Sequence, residues 1–166
     1  MLERLDQTLI HLPALLDSLV GWRSLDIDYH PPRVERLVRS VGASRLSLHR
    51  IHPCEPGQAL FHPHRWPCAV VLLSGRYEMG VGWGPGSEAP PVASRLILGP
   101  GARYEMCERD AWHYVRPLDE PVVSVMLSGE PWHRPSPRPN RTLGPLSEAA
   151  AAELLADVSR LAQFAW

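Results

Sequence analysis

The sequence predicts a single all-β domain, a barrel or sandwich of short antiparallel strands, with helices before and after it. Three observations carry that prediction. Between Cys54 and Glu130, short β-rich apolar runs recur and each is stopped by Gly or Pro. The chain on either side changes to helical spacing, and its 166 residues suit one core rather than two.

From Leu2 to Val20, the residues Leu5, Leu9, Leu12, Leu16 and Leu19 recur at three- and four-residue steps, which predicts an amphipathic helix with a break or kink at Pro13. A second helix is expected from Pro32 to Val41, because proline suits a first helical turn and Gly42 falls where a C-terminal cap would. Arg45 to Ile51 reads as the first strand. Further strands follow at Ala69–Leu73, Tyr77–Met79, Arg95–Leu98 and Val122–Leu127, each ending at a Gly-containing turn, with Gly84 to Pro91 a loop among them. Pro131 to Pro145 is rich in Pro, Arg and Asn and should run extended over the surface. Ser147 then caps a helix with Leu154, Leu155, Val158 and Leu161 on one side. The expected organisation is a helical segment over 1–43, the barrel over 44–131, and a tail with its helix over 132–166, all in one structural domain.

Charge removes several function classes. The 17 Lys+Arg nearly balance 18 Asp+Glu, so nothing draws the chain to nucleic acid or an anionic membrane. No apolar run reaches the ~20 residues that span a bilayer, and the N-terminus lacks a secretory pattern, which makes a cytoplasmic location the expectation. Cys54, Cys68 and Cys107 are odd in number and far apart, unlike a disulfide framework or a CxxC site, and serve by default as small buried hydrophobes.

His62-Pro63-His64 is the most informative tripeptide, because residues two apart on a strand face one way and both imidazoles can reach one ion. The bland alternative is a pair of loop histidines bonded to backbone, with Pro63 in a turn. A third ligand must come from elsewhere, and His113, in the β-like run Trp112–Val115, is the candidate. Glu78 and Glu105 are possible carboxylate ligands but follow turns and should face solvent. His49 and His52 lie on the approach to the motif, as pocket residues or as satisfied core or surface histidines. The aromatics Trp66, Trp83, Trp112, Tyr77, Tyr104 and Tyr114 crowd the motifs, and sequence does not sort cavity walls from packing. Arg50, Arg65 and Arg103 are candidates for a bidentate grip on a substrate carboxylate.

Gly57 ahead of His62-Pro63-His64, Cys68 a few positions on and Gly75 closing the hairpin resemble the first motif of the cupin superfamily. Gly99-Pro100-Gly101 through His113 to Pro117 resembles its second, with Pro117 where asparagine often stands. The resemblance implies a cupin barrel, a double-stranded β-helix or jelly roll, over Leu46 to Leu127. Where most cupins carry a ligating glutamate, this chain has Cys68, as do the cysteine dioxygenases, which hold iron on three histidines. That likeness implies one divalent metal on His62, His64 and His113, and puts Arg36 in register with the family's substrate-carboxylate arginine, although the Pro32–Val41 expectation sets it on a helix. Ser128 and Met126 stand where that family has its catalytic tyrosine and the histidine that supports it, so neither cysteine as substrate nor a Cys68–tyrosine crosslink is expected.

Three neutral imidazoles leave the charge of a divalent metal uncompensated and one face of it open, which favours an anionic, chelating small molecule. With Fe(II), the metal expected first, the chemistry is that of a dioxygenase or oxygenase. With Zn, Mn or Ni it is Lewis-acid catalysis by an isomerase, lyase or hydrolase, and a ligand-binding module without a reaction is the third reading. Tyr104, Tyr77 and Arg50 are the candidate catalytic residues, and Cys68, His49, Trp66, Met126 and Arg36 are expected around the metal. Cupin barrels often pair through edge strands, so a homodimer is a further expectation.

Overall fold

The computed structural model describes residues 1–134 and 138–163, so part of the expected tail, 135–137, lies outside the described residues, as do 164–166. Two short helices, α1 (Leu2–Ile10) and α2 (Leu12–Leu15), precede ten strands. These are β1 (Arg23–Ile27), β2 (Val34–Val41), β3 (Ser44–Ile51), β4 (His62–Pro63), β5 (Cys68–Ser74), β6 (Tyr77–Trp83), β7 (Ser94–Leu98), β8 (Arg103–Met106), β9 (Ala111–Pro117) and β10 (Val122–Ser128). The helix α3 (Glu148–Ala162) follows. One sheet runs β1-β2-β3-β10-β5-β8 and the other β4-β9-β6-β7, with every pairing antiparallel.

The helix expected over Pro32–Val41 is a strand. β2 pairs with β3 along its whole length, from Val34 opposite Ile51 to Val41 opposite Ser44, and Gly42 at φ +57° makes the tight turn between them. Gly42 is as suitable in a hairpin as in a helix cap, and β-branched Val34, Val38 and Val41 gain from cross-strand packing what a lone short helix could not supply. The sheet therefore begins well before residue 44, and β1, which no sequence signal marked, adds its edge by pairing with β2. At the N-terminus the leucine stripe holds, but the helix breaks at His11, restarts with Pro13 in its first turn and stops at Leu15, short of Val20.

The large sheet is buried on both faces. α1, α2 and α3 cover one face, where Leu5, Leu12 and Leu154 meet Leu46, Leu48 and Val71. The other face looks into the space between the sheets, where Cys68, Val70 and Leu72 pack with Tyr77 and Met79. Burial on both sides explains why Ala69–Leu73 reads as an unbroken apolar run instead of an alternating one. Each such leucine taken fully out of water contributes ~2 kcal/mol. Ser147 caps α3 as expected, its Oγ accepting from the Ala150 N–H at 3.2 Å. Among the described residues, no helix is long and apolar enough to cross a membrane.

Candidate metal centre

The short strand β4 brings the histidines together. Its pairing with β9 sets His62 directly opposite His113, and the His64 N–H donates to the Ala111 carbonyl at 2.9 Å, continuing the ladder past Pro63. The ring centroids of His62 and His113 stand 4.7 Å apart and those of His64 and His113 4.8 Å. All three rings line one side of a cavity of about 220 Å³ between the sheets.

The ring nitrogens are set up differently. His62 Nδ1 lies 2.9 Å from the Leu60 carbonyl, which can only accept, so Nδ1 carries the proton and Nε2 keeps its lone pair. His64 Nε2 is 3.5 Å from Cys68 Sγ. The Nδ1 atoms of His64 and His113 are buried and without a hydrogen-bond partner. Burial lowers the pKa of His62, brings His64 down to about 4 and holds His113 well below the ordinary imidazole value, its two histidine neighbours adding to the effect. All three are therefore neutral near pH 7 and able to donate a lone pair. As the rings stand, no three His, Cys, Asp or Glu side chains among the described residues already close on one point as a metal cage.

Across the cavity, the register of the large sheet makes a polar row. Arg36 on β2 sits opposite His49 on β3, and His49 opposite Ser124 on β10. All three line the cavity. Arg36 Nε and His49 Nε2 are buried without partners. Burial brings the Arg36 pKa down to about 10, with Arg45 beside it adding repulsion, and holds His49 well below its usual value. Among the described residues, neither Asp nor Glu lines the cavity. Tyr77 and Tyr104 complete it with a hydroxyl pair at 2.7 Å, and burial raises both phenol pKa values. Met126, Trp66 and Cys68 are lining residues too, and burial pushes the Cys68 thiol up to about 12.

Several candidates fall elsewhere. Arg50 follows His49 and so faces the opposite way, towards α3, where it contacts Glu35 at 2.7 Å and Asp157 at 2.7 Å; it is a structural ion-pair centre and not a cavity residue. His52 stands 3.3 Å from the same Glu35. Arg103 pairs with Asp6, Glu105 holds the terminal amine of Met1, and Glu78 accepts from the Tyr114 hydroxyl at 2.7 Å. None of these lines the cavity, whereas Arg65 does. Sequence reasoning missed Ser124, Tyr29 and His30 as lining residues. Ser124 was within reach, since it shares the strand parity of Met126; Tyr29 and His30 follow β1, which had no signal.

No family model matches the chain, and no curated protein does. Solved structures do. Hydroxypropylphosphonic acid epoxidase from S. wedmorenis aligns at 16% identity over 68% of this chain and 57% of its own, with a TM-score of 0.50. A chain from the structures of two DMSP lyases aligns at 20% identity over 61% of this chain and 46% of its own, with a TM-score of 0.43. A putative sugar phosphate isomerase from Acidithiobacillus ferrooxidans aligns at 19% identity over 58% of this chain and 60% of its own, with a TM-score of 0.42. The matched part spans about half the length of these neighbours. The likeness is one of fold: an all-β cupin-type barrel with helices before and after it.

Proposed function

We propose that the chain is a metal-dependent cupin enzyme acting on a small anionic molecule, with His62, His64 and His113 holding one divalent ion and Fe(II)-dependent dioxygenation as the reaction. The observation that carries this reading is three neutral imidazoles gathered on one wall of a cavity that no carboxylate lines. The donor chemistry suits a cation, with the rings not converged on one point: His62 offers a lone pair fixed by Leu60, and the buried Nδ1 atoms of His64 and His113 have no hydrogen-bond partner. Such an ion supplies a Lewis acid and, as Fe(II), a redox centre for O₂ chemistry.

The chain's own groups bind and orient the substrate. Arg36 offers a guanidinium fork to its anionic group, opposite the histidines, in the role the cysteine dioxygenase resemblance gives it. One phenol of the Tyr77–Tyr104 pair donates to the other, which leaves one hydroxyl proton free to donate to a bound oxygen atom. Their raised pKa values keep both phenols protonated, as donors and not bases. Val115 and Met126 add apolar surface that excludes water. One observation favours an O₂-independent isomerase or lyase using Zn, Mn or Ni: His49 carries an unpartnered Nε2 on the cavity wall, a weakly basic ring nitrogen placed to hand on a proton.

Metal analysis of anaerobically purified protein, beside His62→Ala, His64→Ala and His113→Ala, tests the proposal. Stoichiometric iron in the native chain and its loss from folded variants is the expected result. Full occupancy in the variants overturns the ligand set, and a zinc-loaded protein indifferent to O₂ turns the reading towards Lewis-acid chemistry.

A further inference from the structure

The rim of the cavity carries a second group of unsatisfied donors, separate from Arg36. Arg45 lies on β3 with the same parity as His49, opposite Ser128 on β10. Arg65 and Trp66 follow His64 directly and line the cavity while remaining partly exposed. The Arg45 Cζ is 4.7 Å and the Arg65 Cζ 5.6 Å from the centre of the Trp66 ring. Arg45 Nη2, Arg65 Nε and Trp66 Nε1 are each buried with no hydrogen-bond partner among the described residues.

These groups donate and cannot accept, so they cannot satisfy one another. Arg33, Arg50, Arg76, Arg103, Arg116, Arg141 and Arg160 each meet a carboxylate, and Arg39 and Arg134 meet backbone carbonyls. No carboxylate among the described residues pairs with Arg45 or Arg65. The backbone around them is fixed, because the Arg65 carbonyl accepts from the Trp132 N–H at 2.6 Å and the Arg45 carbonyl from the Ser128 hydroxyl at 3.4 Å. Two guanidinium groups beside one indole, held in place with no counter-charge, are arranged for an oxyanion.

We propose that Arg45, Arg65 and the Trp66 indole N–H form a second anion subsite, so that the substrate is a short two-headed acid. One head faces the histidines and the other, a carboxylate or phosphate, sits at the rim. The Trp66 ring lies 6.4 Å from the His64 ring, a span that a short chain between the two heads covers. The subsite rests on its own donors; only the pairing of the two heads rests on the metal reading above.

Calorimetry separates the two. Inorganic phosphate is titrated first into metal-free native protein and into Arg45→Gln, Arg65→Gln and Trp66→Phe, the last keeping the ring and losing the donor. Saturable binding that weakens about tenfold in each variant is expected, as for the loss of a charge-assisted hydrogen bond. Succinate and butyrate, equal in length and differing in one carboxylate, are then compared on the Co(II)-loaded protein, where succinate should bind about tenfold tighter, with the preference lost in the Gln variants. Acetate competing with phosphate at the rim as well as succinate does would mark that head as a carboxylate site, and phosphate resisting both would mark it as a phosphate site. Absence of phosphate binding, equal affinity in the variants, or thermal destabilisation alone with affinity unchanged overturns the subsite and leaves a purely structural stack. No succinate preference in the native protein overturns the two-headed substrate. A chain that binds phosphate but takes up no divalent metal refutes only the metal reading.

Discussion

The two faces of β3 treat charge in opposite ways. On the face towards α3, Arg50 is almost out of solvent and fully answered, by Glu35 at 2.7 Å and Asp157 at 2.7 Å. On the face towards the cavity, His49 and its cross-strand neighbour Arg36 end in buried nitrogens that no described residue meets. A buried charge with its partner present is architecture, since removing either half strands the other; a buried charge without one is a place kept for something that binds.

That contrast predicts different outcomes for two similar substitutions. Arg50→Gln takes from Glu35, whose side chain is only 7% exposed, its nearest cation and leaves it Arg33 at 3.3 Å, and should cost ~2 kcal/mol in denaturant unfolding. Arg36→Gln removes an unanswered cation and should leave stability within ~1 kcal/mol of native or above it, while weakening binding of a small carboxylate probe such as succinate about tenfold. Equal losses of stability in both variants would break the comparison.

Acid should separate the faces too. The His64 pKa is lowered to about 4, and those of His49 and His113 lie well below 6.5, so the unfolded chain binds more protons than the fold as pH drops through that window. Their contribution is complete above the unfolded value and disappears as pH falls towards the folded ones, on the order of 3 kcal/mol for His64 alone. On the other face burial raises the Asp157 carboxyl, but hydrogen bonds from Arg50 and Arg160 bring it below its usual value, so its contribution is lost only at lower pH. Melting curves of metal-free protein from about pH 7 to about pH 4.5 should thus show an early decline, and a flat profile would mean the imidazoles are not held neutral.

Much of this was legible in the sequence, and the failures have physical causes. His62 and His64 announce themselves because period two puts both on one face, and the structure sets His113 opposite His62. His49 and Arg50 were both cavity candidates, yet adjacent strand residues cannot share a face, and the sequence alone could have removed one of them. Arg36 was placed in register but on a helix, because the end signals of a short helix and a hairpin strand coincide and only the partner strand decides. The rim donors Arg45, Arg65 and Trp66 were not read as a group, since their meeting depends on β10 bringing β3 beside the residues that lead into β5.

The cavity face also sharpens the question of substrate. Met126 presents a thioether to the cavity, and the hydroxyl of Ser128 turns to the Arg45 carbonyl at 3.4 Å, so β10 offers the cavity no phenol or imidazole at these positions. Phenols are present, but from Tyr77 on β6 and Tyr104 on β8, and they are bonded to each other. Loss of a preorganised donor at a reacting oxygen costs on the order of a hundredfold, so iron-loaded protein should turn over cysteine no faster than about one per cent of an enzyme-like rate. Oxygen uptake with cysteine, cysteamine and 3-mercaptopropionate measures this. Sulfinate formed from cysteine at full turnover would overturn this prediction, and its loss in Tyr77→Phe or Tyr104→Phe would assign the donor to that pair.

The smallest effect belongs to Cys68, which stands where the two kinds of surface meet. Its neighbours on β5 alternate between the helix-covered core and the cavity, and its Sγ lies 3.5 Å from His64 Nε2. A thiol whose pKa burial has pushed up to about 12 is protonated at neutral pH, and its sulfur can accept weakly from the His64 Nε2–H, which leaves Nδ1 its lone pair, whereas a metal ligand would have to be a thiolate. On the proposed reading the thiol orients an imidazole from behind and would not compete for an ion. Cys68→Ser keeps an acceptor of similar shape for the His64 Nε2–H, so metal affinity should change by no more than about tenfold, the lower end of what such supporting groups contribute. Cobalt substitution gives the decisive spectrum. With Cys68 as a neighbour only, native and Cys68→Ser proteins share the same ligand-field bands, whereas an intense sulfur-to-metal band present in the native chain and absent from the variant would make Cys68 a ligand and replace the three-histidine site with one that includes sulfur.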